Sequence, residues 1–192
     1  MDVRGPALSS RSGAERTARR EPSDAWKRGL GWAASHGVLS ALFLAWLALE
    51  GEAPSGPLVA PIPRESYYAW EAVFVLPLRV AMALAFAGSA HAIARKLGGS
   101  GTFEDTFHRG ARALGLPFLA LWLLPDVALY ATGGFDRLGA GVRVTAAVSS
   151  FGTLVLAVLA VRDAHALSTG RAIAAALVGL VAQAVLGAPL LR

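Results

Sequence analysis

The chain has 192 residues, of which 55% are hydrophobic and only 16% are charged. The apolar residues form long runs instead of alternating with polar ones, which excludes a soluble domain built from amphipathic helices. The absence of cysteine excludes disulfides and thiolate chemistry. Because about 20 apolar residues cross the roughly 30 Å hydrocarbon core of a bilayer as a helix, we predict an all-α, polytopic transmembrane bundle.

The formal net charge of +5 does not indicate a nucleic-acid partner. The basic residues flank the apolar runs, which is the distribution that the positive-inside rule produces in membrane proteins. Arginine outnumbers lysine and alanine is abundant, a bias typical of GC-rich bacterial genomes. We therefore expect a bacterial cytoplasmic membrane protein without a nucleic-acid partner.

Two regions are predicted along the chain. Residues 1–25 are polar and basic, and their low hydrophobicity predicts a disordered cytoplasmic tail. A cleaved signal peptide is the competing interpretation of this end. Residues 26–192 are predicted to form one membrane domain with five spans, at about 30–49, 70–94, 113–131, 144–161 and 172–191.

The second and third spans are predicted to form a helical hairpin around a basic, glycine-rich turn at residues 95–102. The prolines within residues 50–66 favour an extended link before this hairpin. Thr102 and Asp105 have the spacing of a capping box, so a short interfacial helix is expected to start there. Residues 132–141 are predicted to be a short glycine-rich turn.

The loop charges predict the orientation. Of the 18 lysines and arginines, 13 fall within residues 1–29 and in the loops around Gly99 and His165, four fall on the other side, and Arg79 lies within a span. The N-terminus is therefore predicted to be cytoplasmic, and five spans would place the C-terminus on the opposite side. Arg95, Lys96, Arg109 and Arg112 form a predicted cytoplasmic face for anionic lipid headgroups or a protein partner, unless they only set topology.

Arg79 and Asp126 each interrupt an apolar span, and such residues usually face protein, water or a counter-ion. Counted from the outer ends of their helices, both lie at similar depths, with Glu71 roughly 12 Å above Arg79. We predict an intramembrane ion pair of Arg79 and Asp126, with Glu71 nearby, that locks the hairpin. A substrate or proton path and snorkelling to the interface are the alternatives.

No catalytic constellation is evident, so we expect neither an enzyme nor a cofactor. The glycines at 98–101 lack the Gly-Lys-Ser/Thr ending of a phosphate loop, which favours a flexible turn. His91, His108 and His165 are expected on one side of the membrane, but their spacing matches no metal motif. Ala175, Gly179, Gln183 and Gly187 form a small-residue face suited to close helix packing.

Several short motifs resemble the prokaryotic branch of the Yip family (Ypt-interacting proteins). They are Tyr67-Tyr68-Ala69-Trp70, the segment 97–103 with the later Leu116-Pro117, and the segment 164–172. The positions that carry the resemblance are Gly98, Gly99, Gly101, Phe103, Pro117, His165, Ser168, Gly170 and Arg171. The similarity covers roughly residues 63–191.

The resemblance implies a five-helix membrane domain with a cytoplasmic N-terminus and no catalytic residue. Eukaryotic members of the family are associated with Rab-type GTPases, but their aspartate- and tyrosine-containing motifs are not apparent here, so GTPase binding is not carried over. We expect a non-enzymatic protein that contacts membrane lipids, an unidentified protein partner or a second copy of itself. The alternative is a small-molecule permease or channel component with Arg79 and Asp126 lining a polar path.

Overall fold

The computed structural model describes residues 22–54 and 62–188. Most of the predicted disordered tail, part of the proline-rich link and the last residues of the fifth predicted span lie outside this part of the chain. Residues 22–25 were assigned to the tail by composition, but they form the first turn of a helix. Pro22 suits that position because the first helical N–H has no partner within the helix.

Helices joined by short loops make up the described part of the chain, which contains no strand. A short 3-10 turn at Arg64–Ser66 precedes the second helix, and a π-helical turn at Leu119–Leu123 separates the third from the fourth. The five helices are α1 (Pro22–Leu49), α2 (Tyr67–Lys96), α3 (Phe103–Phe118), α4 (Leu124–His165) and α5 (Thr169–Gly187). The α2–α3 hairpin and its turn are confirmed.

Four helical stretches are long and apolar enough to cross a membrane, namely residues 24–49, 64–96, 103–165 and 169–187. The predicted count of five spans is not supported by length and composition. The reason is that the third and fourth predicted spans fall within one helical stretch of 63 residues.

That long stretch is interrupted at Gly134, whose φ of 67° and ψ of −163° are not helical. The two parts on either side contact each other in an antiparallel order. Thr145 bonds to Asp126 at 2.8 Å, and Gly141 lies against the side chain of Leu129. The predicted turn over residues 132–141 is thus reduced to a break at one residue, where φ and ψ lie in a region that is essentially restricted to glycine.

The junction between α3 and α4 is a widened helical turn. The Leu124 N–H donates to the carbonyl of Leu119, five residues earlier. Pro125 follows at once and has no N–H to continue the ordinary i to i−4 pattern. This local change of register alters which side chains of the helix face the bundle.

The core lies around α2. The ring of Phe86 is fully buried, and it contacts Gly110 of α3 and Gly179 of α5. A methyl group at either glycine would overlap this ring, so both helices can approach α2 only at small residues. The predicted small-residue face of α5 is confirmed, since Ala175 and Gly179 are buried there.

The bundle has two distinct ends. We call the end that contains residues 97–102 the glycine-loop end, and these six residues the glycine loop. There, the rings of Trp26 and Phe107 lie 4.8 Å apart. At the opposite end, Trp46 contacts Tyr130 at 4.9 Å and the Tyr130 hydroxyl donates to Glu52.

Candidate functional site

A cavity of about 860 Å³ lies inside the bundle and is lined by side chains from all five helices. Its volume is within the range of roughly 300–1,000 Å³ that is typical of small-molecule sites. It reaches Pro54, Tyr68 and Ala188 at the opposite end. On α2, the 14 residues from Tyr68 to Met82 correspond to roughly 21 Å of helix, so the cavity extends deep into the bundle.

The deep end of the cavity is closed on the side of the glycine loop. Met82 is the last α2 residue that lines the cavity, and beyond it Ala83, Phe86, Ala87 and Ala90 are buried in the packed core. The cavity is therefore a chamber with a floor, not a continuous pore. Its walls are mostly apolar, and the polar side chains that interrupt them are His36, Ser40, Arg79, Asp126, Ser149, Ser150, Thr153 and Gln183.

Arg79 lies at the floor of this chamber. Its guanidinium carbon is 4.4 Å from the centroid of the Phe118 ring, an arrangement typical of a cation–π contact. Within the described part of the chain it makes no hydrogen bond or ion pair, and its Nε is buried without a partner. Its charge is thus only partly compensated by protein.

His36 packs against the same ring. Its ring centroid is 4.2 Å from that of Phe118, and the residue is only 7% exposed. The Nε2 atom is buried and has no partner among the described residues. Two nitrogen-bearing side chains with unused hydrogen-bonding atoms therefore contact Phe118 at the cavity floor.

The predicted ion pair between Arg79 and Asp126 is not formed within the described residues. Asp126 is 4% exposed and accepts a 2.8 Å hydrogen bond from the Thr145 hydroxyl, across the break at Gly134. Arg79 packs on Phe118, which precedes Asp126 by eight residues, or roughly 12 Å of helix. Counting depths from the helix ends overlooked this offset between the two helices. Glu71 is buried as well, two turns from Arg79 towards the opposite end.

A second polar cluster fastens the glycine loop to the end of α4. The Gly101 N–H donates to His165 Nδ1 at 3.2 Å, and the Ser100 N–H donates to the His165 carbonyl at 3.2 Å. Thr106 Oγ1 lies 2.9 Å from His165 Nε2 and 3.4 Å from His91 Nδ1. The loop is consequently held in place by side-chain and main-chain bonds, which differs from the flexible turn that composition indicated.

The hydrogen bonds assign a tautomer to His165. Because Nδ1 accepts from Gly101, the proton of the neutral ring is on Nε2 and is donated to Thr106. The Thr106 hydroxyl in turn donates to the Thr102 carbonyl at 2.7 Å. Thr102 also caps α3, since its Oγ1 accepts from the Asp105 N–H; this confirms the hydroxyl half of the predicted capping box, whereas the Asp105 carboxylate pairs with Arg109.

Most of the motif residues that resemble the Yip family meet in this cluster. Gly98 has a φ of 89°, Gly99 lies against the His165 side chain, and Arg171 donates to the Leu97 carbonyl at 3.2 Å. Ser168 and Gly170 begin α5 beside them, and Phe103 begins α3. Pro117 is the exception, because it lies in the bundle against Gly152.

Sequence reasoning missed Thr106 as the link between the two histidines. Its one signal was a polar residue four positions after the helix cap, where its hydroxyl reaches the Thr102 carbonyl. His91 and His165 do converge, with ring centroids 5.1 Å apart, whereas His36 lies in the cavity. In the described part of the chain, no three histidine, aspartate or glutamate side chains lie close enough together to hold a metal ion.

The predicted basic face is present at the glycine-loop end, where Arg95, Lys96, Arg109 and Arg112 are all exposed. Two of them already have protein partners: Arg95 donates to the Gly99 carbonyl, and Arg109 forms an ion pair with Asp105 at 2.9 Å. Lys96 and Arg112 are the members of this face most available for an external anion.

Comparison of the chain with models of known protein families, with curated proteins and with solved structures gave no match.

Proposed function

We propose that this is an integral protein of the bacterial cytoplasmic membrane that crosses it five times with its N-terminus inside. The reversal at Gly134 supports this proposal, because the two parts of the 63-residue stretch run antiparallel and each part is long enough to cross. The hydrogen bond between Ser100 and His165 further supports it, since the two ends of that stretch then lie on one side.

Single-cysteine labelling tests the topology, because the chain has no cysteine of its own. Ser100→Cys, Asp136→Cys and Ser168→Cys each place a thiol at an exposed position. Five spans predict that Ser100→Cys and Ser168→Cys react with an impermeant reagent only after the cell is opened, and Asp136→Cys before. If Ser100→Cys and Ser168→Cys label from opposite sides, the stretch crosses once and the proposal fails.

We further propose that the protein acts without catalysis by holding a small molecule in its intramembrane cavity, as a binding protein or as one component of a permease. The cavity itself carries this proposal: about 860 Å³ of space with apolar walls and a few polar groups. Its closed floor favours a site that binds a molecule and releases it towards the opposite end over an open channel.

Filling the cavity tests this function. Ala184 lines the cavity, whereas the next residue, Val185, does not line it and is 70% exposed on the outside of α5. Ala184→Trp should abolish retention of small molecules by protein purified with its native lipid, as measured by native mass spectrometry. Val185→Trp is the matched control and should leave retention unchanged. Equal behaviour of the two variants, or wild-type protein that retains no molecule, would refute the proposal.

The second candidate function is contact with anionic headgroups or a protein partner at the glycine-loop end, which is the Yip-like role. The exposure of Lys96 and Arg112 supports it. Lys96→Gln combined with Arg112→Gln should weaken association with phosphatidylglycerol by native mass spectrometry, because each basic residue near an anionic surface contributes about 1 kcal/mol. Arg64→Gln combined with Arg137→Gln, at the opposite end, is the control and should have no effect.

A further inference from the structure

We propose that the intramembrane cavity binds a single-chain amphiphile with one anionic headgroup, a carboxylate or a phosphate, and that Arg79 and His36 hold this headgroup. This inference rests on the function proposed above and names the class of ligand that the cavity takes.

The first argument is the state of Arg79. A charged side chain within the bilayer normally faces a counter-ion, protein acceptors or water, because its desolvation is costly. The Arg79 guanidinium has the face of Phe118 but no acceptor among the described residues, and Nε is buried with its hydrogen unused. Glu71, two turns away on α2, acts on this charge at a distance but accepts no hydrogen bond from it. A bound anion would bring a charge into contact and accept hydrogen bonds from the guanidinium fork.

The second argument is the placement of His36. Only 7% of the surface of His36 is exposed, and its Nε2 has no partner among the described residues. Both His36 and Arg79 contact Phe118, and both also line a small pocket next to the cavity, so the two side chains are neighbours near the floor. When the proton of the neutral His36 ring is on Nε2, the two side chains offer donors to one headgroup, which a single snorkelling arginine would not.

The third argument is the distribution of polarity along the cavity. Above the floor, the walls are formed by large apolar side chains such as Phe43, Leu47 and Leu138. Asp126 is the acidic residue of the wall, but its carboxylate is engaged by Thr145 and lies roughly 12 Å along the helix from the level of Phe118. A charged head at Arg79 with an apolar chain directed to the opposite end matches this arrangement.

The wall beside Arg79 also contains the π-helical turn Leu119–Leu123. Such turns occur frequently at functional sites because they re-aim side chains that a regular helix would direct elsewhere. Three residues around this turn line the cavity: Phe118 just before it, Trp122 within it and Asp126 after it. Trp122 therefore provides an intrinsic fluorescent reporter of whatever occupies it.

The test uses the full chain in phosphatidylcholine nanodiscs with 12-bromododecanoate and 12-bromododecanol as probes, because bromine quenches a neighbouring indole. Both probes should quench tryptophan fluorescence in the unmodified protein, and this quenching should be absent in Trp122→Phe. The carboxylate should bind roughly 10- to 100-fold more tightly than the alcohol, as expected for charge-assisted hydrogen bonds. Arg79→Gln should remove this preference by weakening only the carboxylate, and Arg79→Lys should restore part of it. Arg143→Gln is the control, since Arg143 is exposed and does not line the cavity.

The outcomes separate the two proposals. Three outcomes would overturn the anionic ligand while leaving the cavity as a binding site. They are equal affinity for the acid and the alcohol, an equal loss of affinity for both probes in Arg79→Gln, and binding of dodecylamine that is tighter than that of the acid. The absence of Trp122-dependent quenching by any probe would overturn the proposed function as well. If Arg79→Gln does not fold, the preference of the unmodified protein for acid over alcohol decides the matter.

A final arm identifies the source of the amphiphile. If lysophosphatidylglycerol, a single-chain lipid, competes with 12-bromododecanoate when it is added to the nanodiscs, the cavity takes its ligand from the bilayer. If it does not compete, the ligand is a free single-chain molecule that enters from the opposite end.

Discussion

The main-chain N–H of Gly101 donates to Nδ1 of His165, a residue 64 positions later in the chain, at 3.2 Å. The bond joins the turn between α2 and α3 to the last residue of α4, so the order of three helices at this end depends on it. Thr106 holds the other nitrogen of the same ring at 2.9 Å.

Gly101→Ala should destabilise the protein strongly. The added methyl group would overlap the Ala164 carbonyl oxygen, which belongs to the main chain and cannot rotate away. Overpacking of this kind costs about 1–3 kcal/mol or more, which thermal unfolding in detergent would report as a lower Tm. Gly88→Ala is the control: the space around Gly88 is open, and alanine in a helix should raise stability by roughly 0.5–1 kcal/mol. Comparable Tm values for the two variants would contradict the loop contact.

His165 and Thr106 should be energetically coupled. His165→Phe leaves the Gly101 N–H without its acceptor, at a cost of about 1–3 kcal/mol in the free energy of unfolding. Thr106→Val removes the partner on Nε2. In a double-mutant cycle, residues in one hydrogen-bond network show interaction energies of roughly 0.5–3 kcal/mol. Additive losses would mean that the two residues act independently.

Arg79 and Asp126 should not be coupled to each other. Arg79→Leu and Asp126→Leu should give additive changes in unfolding free energy, within about 0.3–0.5 kcal/mol, because the two side chains form no ion pair. Asp126→Leu combined with Thr145→Val should by contrast be non-additive, since one hydrogen bond joins that pair. Strong coupling between Arg79 and Asp126 in this cycle would restore the ion pair that the sequence predicted.

Gly134→Ala should destabilise the reversal between the two parts of α4. Nothing surrounds the position of an added Cβ at Gly134, so the penalty comes from the backbone alone, whose φ is 67°. Such a conformation costs a non-glycine residue about 1–3 kcal/mol, measurable as a lower Tm. Gly139→Ala has equally open surroundings but helical dihedrals, so it should preserve or raise the Tm. A neutral Gly134→Ala would indicate that the backbone there can adopt another conformation.

The sequence predicted the parts of the fold that local signals determine. Apolar runs located the α2–α3 hairpin, and the hydroxyl of Thr102 marked the start of α3. The relative heights of Arg79 and Asp126 were not predictable in this way. They depend on how α3 packs against α1 and α2 and on the π-helical turn after Phe118, neither of which a count of residues from a helix end contains.

The candidate site was only partly predictable for the same reason. The isolated charge of Arg79 indicated a functional or structural role, but its lack of an acceptor and its proximity to His36 appear only once three helices are assembled around Phe118. His91, Thr106 and His165 meet because a hairpin and a helix end converge, whereas their sequence spacing of 15 and 59 residues gives no periodic signal.

The closed floor of the cavity has a consequence for the electric field of the membrane. When the chamber holds water and no ligand, only the packed core beyond Met82 would remain as an insulating layer, and the transmembrane voltage would fall mainly across this alanine-rich part of the bundle. Moving one elementary charge across the full voltage changes the free energy by about 2.3 kcal/mol per 100 mV. Arg79 lies beside that layer, where the free energy of a small displacement of charge would depend on the membrane voltage.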